Sequence, residues 1–149
     1  VLFRSGSSMA EQNKAIPMLG VRGVTDPAQI AVINRQNLGR LMLAHRDRID
    51  DLAVYIQMQN GLRTRLVRGT YSRRDITPII LARLKSPIRV AGIWGDLDPG
   101  TTLGGQGEAD AMRQVAPRAK THMIENAGHW VMYEAAEAFN AALLDVLEP

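Results

Sequence analysis

Pro87-Ile88-Arg89-Val90-Ala91-Gly92-Ile93-Trp94-Gly95-Asp96-Leu97-Asp98-Pro99-Gly100 is the stretch that decides the fold. Ile88 to Trp94 is short, mostly apolar and rich in branched residues, with proline on one side and Gly95 on the other. Those are the marks of a strand buried on both faces, the kind found in parallel sheets covered by helices. The run then breaks into a turn carrying two carboxylates, Asp96 and Asp98. Downstream the pattern repeats. A flexible connection with Gly104, Gly105 and Gly107 leads into an amphipathic helix from Glu108 to Ala116, stopped by Pro117. Lys120 to Ile124 reads as a second strand, and Glu125-Asn126-Ala127-Gly128-His129-Trp130 forms its turn. Ala135, Phe139, Leu143 and Leu147 recur every four residues, which places a terminal helix against the sheet.

Upstream of Pro87 the periodicity is helical. Thr25-Asp26-Pro27 supplies caps and a first-turn proline, and Ile30, Ile33, Leu38, Leu41 and Met42 follow as an apolar stripe. A second helix is expected after Arg46-Asp47, with Ile49, Leu52, Ala53 and Ile56 on one face, Asp50 and Asp51 at its positive end, and Gly61 weakening or ending it. Thr77-Pro78 caps a third, shorter one. Three helices with no strand between them suit a cap or lid better than a wound sheet. The expected organisation is therefore a poorly structured or foreign segment over 1–24, a helical cap over 25–86 and an α/β core over 87–149, in which two parallel strands carry flanking helices.

The 149 residues are 46% hydrophobic and 22% charged, an ordinary globular composition with the length of one modest domain. No apolar run approaches the roughly 18 residues a membrane-spanning helix needs, and no secretory signal opens the chain. Cysteine is absent, which excludes thiol nucleophiles, thiolate metal sites and disulfides and fits a reducing, cytoplasmic setting. The net charge is +3, and basic residues gather at Arg63, Arg65, Arg68, Arg73 and Arg74, interleaved with Tyr71. With acidic residues nearby, a solvated face is the expected reading and no nucleic-acid partner is expected, phosphate binding being the alternative.

In wound sheets, active sites assemble at the carboxyl ends of the strands. Both turns identified above lie there, and His129 follows Asp98 by 31 residues, enough for one loop, helix and return strand. Asp96 is a rival acid that faces solvent or caps the turn. Here the chain resembles the α/β-hydrolase family. The order in that family is nucleophile, acid, histidine. Its acid lies on a Gly-x-x-Asp turn, matched by Gly95 to Asp98, and its histidine in a Gly-His pair, matched by Gly128-His129. Residues 128–140 look most like the hydrolases that cleave carbon–carbon bonds of ring-fission products, and residues 37–74 resemble the helical lid of that group. The likeness spans residues 27–149 and implies a partial α/β-hydrolase fold. It casts Asp98 and His129 as the acid and base of a serine-type triad; Trp130, beside His129, is read as a packing residue or as lining the pocket. The implied substrate is a small molecule with an apolar part, and no cofactor is implied.

The nucleophile departs from the pattern. Of Ser5, Ser7, Ser8, Ser72 and Ser86, only Ser8 sits in anything like an elbow, Gly6-Ser7-Ser8-Met9-Ala10, and polar residues follow where a long buried helix should. The chain by itself is therefore expected to be inert. His45 and His122 have no third partner at metal-like spacing, and Gly104 to Gly107 lacks a phosphate-loop pattern. A different expectation is a non-catalytic chain whose lid and terminal helices bind a partner or form a homo-oligomer.

Overall fold

The branched run after Pro87 forms the central strand of a parallel sheet. The computed structural model describes residues 2–4 (backbone), 16–64, 89–101 and 104–148. Its strands are β1 (Leu2–Arg4), β2 (Val90–Gly95) and β3 (Lys120–Ile124), in the order β1-β2-β3 with both pairs parallel. The register of β2 on β3 runs from Ala91 opposite Lys120 to Gly95 opposite Ile124. All of Ala91 to Gly95 is buried, as a strand flanked on both edges and covered on both faces must be. The strand at Leu2–Arg4 lies within the segment expected to be unstructured, and it pairs with Val90 to Gly92.

The helices are α1 (Pro27–Asn37), α2 (Asp51–Arg63), α3 (Gln106–Val115), α4 (Val131–Glu134) and α5 (Ala136–Leu147). At the start of α1 the Asp26 carboxylate accepts from the Ala28 amide at 3.0 Å, with Pro27 in the first turn. After Asn37 the chain loosens into a π-turn, Leu38–Met42, closed by the Leu43 amide on the Leu38 carbonyl at 2.9 Å. A 3-10 turn, Arg46–Arg48, leads to Asp50, which caps α2 by accepting from Ala53 N at 2.8 Å. Leu38, Leu43, Ile49, Ala53 and Val54 are buried together, with Trp130 and Tyr133 packed against them. This helical region is thus joined to the segment that carries His129.

Some expectations need correction. Leu52 points to solvent, 56% exposed, while Val54 fills the buried position. Gly61 does not end α2, which continues to Arg63 because the helical hydrogen bonds tolerate a glycine at the cost of propensity alone. The terminal helix buries Phe139, Ala142 and Val146 and leaves Leu147 half exposed. A four-residue repeat drifts around a helix of 3.6 residues per turn, so its last member leaves the core face. The expected third helix after Thr77-Pro78, Ile88 and the arginines from Arg65 to Arg74 lie outside the described residues.

Beneath the strand tips, Ile93, Ala127, Val131, Phe139 and Ala142 form a second buried cluster that seats α4 and α5 on the sheet. Trp94, Ala109 and Met112 form a third, under α3. Among the described residues no helix is long and apolar enough to cross a membrane.

Candidate active site

The turns after β2 and β3 are fastened to each other beyond the end of the sheet. Asp96 N donates to the Ile124 carbonyl at 3.0 Å and Leu97 N to the Ala127 carbonyl at 3.0 Å, extending the ladder by two bonds. Gly95 permits this approach, since a Cβ there would overlap the Ala127 carbonyl. Asp96 is half buried, and its Oδ1 accepts from the Ala127 amide at 3.4 Å, a turn-bracing role.

Asp98 is 3% exposed. Its Oδ1 accepts from Gly100 N at 2.8 Å and its Oδ2 from His129 Nδ1 at 2.9 Å. A carboxylate held on one oxygen by a backbone amide and offering the other to a ring nitrogen fixes the histidine in its Nδ1–H tautomer. Nε2 then carries the free lone pair, and it has no partner among the described residues. The His129 ring, with Ile56 and Asn60 of α2 and Trp130, Met132 and Tyr133, lines an open cleft of about 390 Å³. The histidine held by Asp98 through Nδ1 thus borders a mostly apolar cleft.

The far wall of the cleft is held by a phenol. Tyr133 donates its hydroxyl to Asp50 Oδ1 at 2.6 Å, tying the start of α2 to α4. Partial burial, with the hydrogen bond to Asp50 and that carboxylate's charge, pushes the Tyr133 phenol up to about 12. The same bond, with the Ala53 amide, holds Asp50 below its ordinary 3.8. Trp130 and Tyr133 meet as a tilted pair with centroids 6.1 Å apart.

Glu134 was not singled out in the sequence. It is buried, and its carboxylate accepts from Gly128 N at 2.6 Å, His45 N at 2.7 Å and Ala44 N at 3.1 Å. Only the burial of a glutamate in the short α4 turn sets it apart, and sequence cannot show burial.

The other polar candidates have structural partners. His45 donates Nε2–H to the Asn126 carbonyl at 3.0 Å, and His122 contacts Asp145 at 3.0 Å. Gly104 and Gly105 take positive φ, 58° and 83°, and turn the chain into α3. No cluster of three metal-ligating side chains occurs among the described residues. All five serines lie outside them. Comparison with protein-family models and with curated proteins finds no match for the chain.

Proposed function

We propose that Asp98 and His129 are the acid and the general base of a serine-type α/β-hydrolase. The bond cleaved is an ester, or a carbon–carbon bond next to a carbonyl, in a small molecule with an apolar part. One observation carries this: a buried carboxylate 2.9 Å from Nδ1 of a histidine that is among the residues lining a cleft. A serine hydroxyl becomes nucleophilic when a neutral imidazole takes its proton, and the imidazolium that results is stabilised by the carboxylate behind it. His129 Nε2 would take that proton and return it to the leaving group, while Asp98 keeps Nδ1 protonated. Trp130, Met132 and Ile56 would receive the apolar part of the substrate. Water is the second substrate, and the chemistry calls on no cofactor. The nucleophile comes from outside the described residues, and the cysteine-free composition favours the cytoplasm as the compartment.

A fluorophosphonate probe, which labels activated serines, tests this on a longer polypeptide that contains the chain and supplies the nucleophile. Labelling should disappear in His129→Ala and fall sharply in Asp98→Asn. Labelling that survives His129→Ala refutes the assignment. The chain alone should give no turnover of a chromogenic acyl ester. Turnover lost in Ser8→Ala would instead put the nucleophile at Ser8.

A second reading has its own observation. Leu52, Tyr55 and Leu62 lie along one side of α2 and are 56%, 58% and 76% exposed. Such a stripe suits contact with a second copy. Light scattering that finds a discrete oligomer, lost in Tyr55→Lys, supports that role; a monomer at all concentrations removes it.

A further inference from the structure

The backbone on both sides of His129 is pinned to one distant segment. Before it, Gly128 N donates to Glu134 Oε2 at 2.6 Å, and the same carboxylate accepts from Ala44 N at 3.1 Å and His45 N at 2.7 Å. After it, Trp130 N donates to the Met42 carbonyl at 2.8 Å. Further back, the Asn126 carbonyl accepts from His45 Nε2 at 3.0 Å, and Asn126 has a positive φ of 55°. Residues 42–45 and 126–130 thus form a single hydrogen-bonded seam, although Ala44 and Glu134 are 90 residues apart in sequence.

Among the described residues, Glu134 is the one side chain that holds both segments of this seam by their amides. A buried carboxylate is costly to desolvate, and it is retained where charge-assisted N–H bonds compensate. It is also the one side-chain type that can serve all three donors. Its two oxygens offer about four lone-pair positions, and here Oε2 takes two amides and Oε1 one. A carboxamide has a single accepting oxygen and would turn its own N–H groups toward an amide donor. The seam is tight as well: a Cβ on Gly128 would stand 2.7 Å from Ala44 N and 3.0 Å from Glu134 Oε2.

We propose that Glu134 is a positioning residue for His129: it clamps the Gly128 amide to the Ala44–His45 amides, so that the Asp98–His129 hydrogen bond forms only while the segment before α2 is docked. The consequence for catalysis rests on the reading of His129 as the base, but the clamp itself is measured without a substrate. The test is NMR on the chain. The proton on His129 Nδ1, held by Asp98, should give a resolved downfield resonance, and the ring should show a single tautomer by its nitrogen shifts. In Glu134→Gln, which keeps the size of the side chain, and in Glu134→Ala, that resonance should vanish. The Gly128 amide should exchange at least about tenfold faster, while the β2 amides stay protected. Met112→Ala, which opens a cavity in the Trp94 cluster, is the control for general destabilisation and should keep the resonance.

A resonance retained in either folded Glu134 variant overturns the proposal, as does its loss in Met112→Ala along with Glu134→Gln. If Glu134→Ala fails to fold, Glu134→Gln decides by the same criteria. Asp98→Asn separates this proposal from the wider one. A resonance that survives Asp98→Asn denies the acid–base pair itself, whereas loss in Asp98→Asn with retention in Glu134→Gln denies only the clamp.

Discussion

Gly128→Ala should destabilise the chain by driving a methyl into the segment docked against it. The new Cβ would stand 2.7 Å from Ala44 N, 3.0 Å from Glu134 Oε2 and 3.1 Å from the Met42 carbonyl oxygen. Ordinary contact begins near 3.4 Å, so the 42–45 segment must retreat by roughly 0.7 Å, because two of the three atoms are backbone and cannot rotate away. That retreat stretches the Ala44 and His45 bonds to Glu134, now 3.1 and 2.7 Å, toward or past the useful limit of about 3.2 Å. Overpacking of this kind costs about 1–3 kcal/mol. A weakened bond to a buried charge adds about 1–2 kcal/mol, part of the ~1.5–3 kcal/mol such a bond is worth. The total is about 2–5 kcal/mol, which for a chain of this size lowers the melting temperature by roughly 5–20 °C. Thermal unfolding by circular dichroism, with urea unfolding at 25 °C, measures it. Gly61→Ala is the matched comparison: nothing lies within 4 Å of its Cβ, and the added helix propensity should stabilise by up to about 1 kcal/mol. If Gly128→Ala melts within a degree or two of the unsubstituted chain, the seam is not docked as described, and Glu134 does not clamp it.

In a polypeptide that carries the nucleophile, Asp98→Asn should lower kcat by on the order of 10⁴-fold, because an amide can offer N–H to Nδ1 and hold the wrong tautomer. A change confined to KM would contradict that role. Ultraviolet titration should find a phenol ionising near pH 12, Tyr133, that moves down in Asp50→Asn; no such change would deny the bond between them. The folded phenol keeps its proton above the ordinary value of 10.0, so this contact stabilises fully below about pH 10 and is lost as pH rises toward about 12. Asp50 works at the other end. It is held below 3.8, so its contribution is present above about pH 4 and is lost as pH falls further, which acid unfolding of Asp50→Asn against the unsubstituted chain would show.

The core was legible because its signals are local. A branched run bounded by Pro87 and Gly95 can scarcely be anything but a buried strand, and Lys120 to Ile124 forms β3 with the bounds its pattern gives. Asp98 and His129 could be paired from sequence because a crossover of fixed handedness brings successive strand tips to the same edge. Leu52 was misplaced for a reason periodicity cannot reach. Asp50 caps α2 and also receives the Tyr133 hydroxyl, a contact 83 residues away that periodicity within the helix does not register. Glu134 was invisible for a similar reason. Its partners are backbone amides, which leave no trace in residue type, and a glutamate near a helix is ordinarily a solvated one.

Two mechanical systems therefore meet at His129. The strand tips, locked by the Asp96–Ile124 and Leu97–Ala127 backbone bonds, fix where the Asp98 carboxylate stands. The seam through Met42, Ala44 and His45 fixes the backbone from which the imidazole extends, and the Asp50–Tyr133 bond fixes how close α2 comes to it. Sheet and helical region each bury an apolar cluster, and Trp130 and Tyr133, from the segment that carries His129, pack against the helical one. A histidine placed on that seam has a geometry more sensitive to docking than either part is by itself. A carboxylate that satisfies three amides across the junction is an economical way to hold it, since one side chain closes both segments at once.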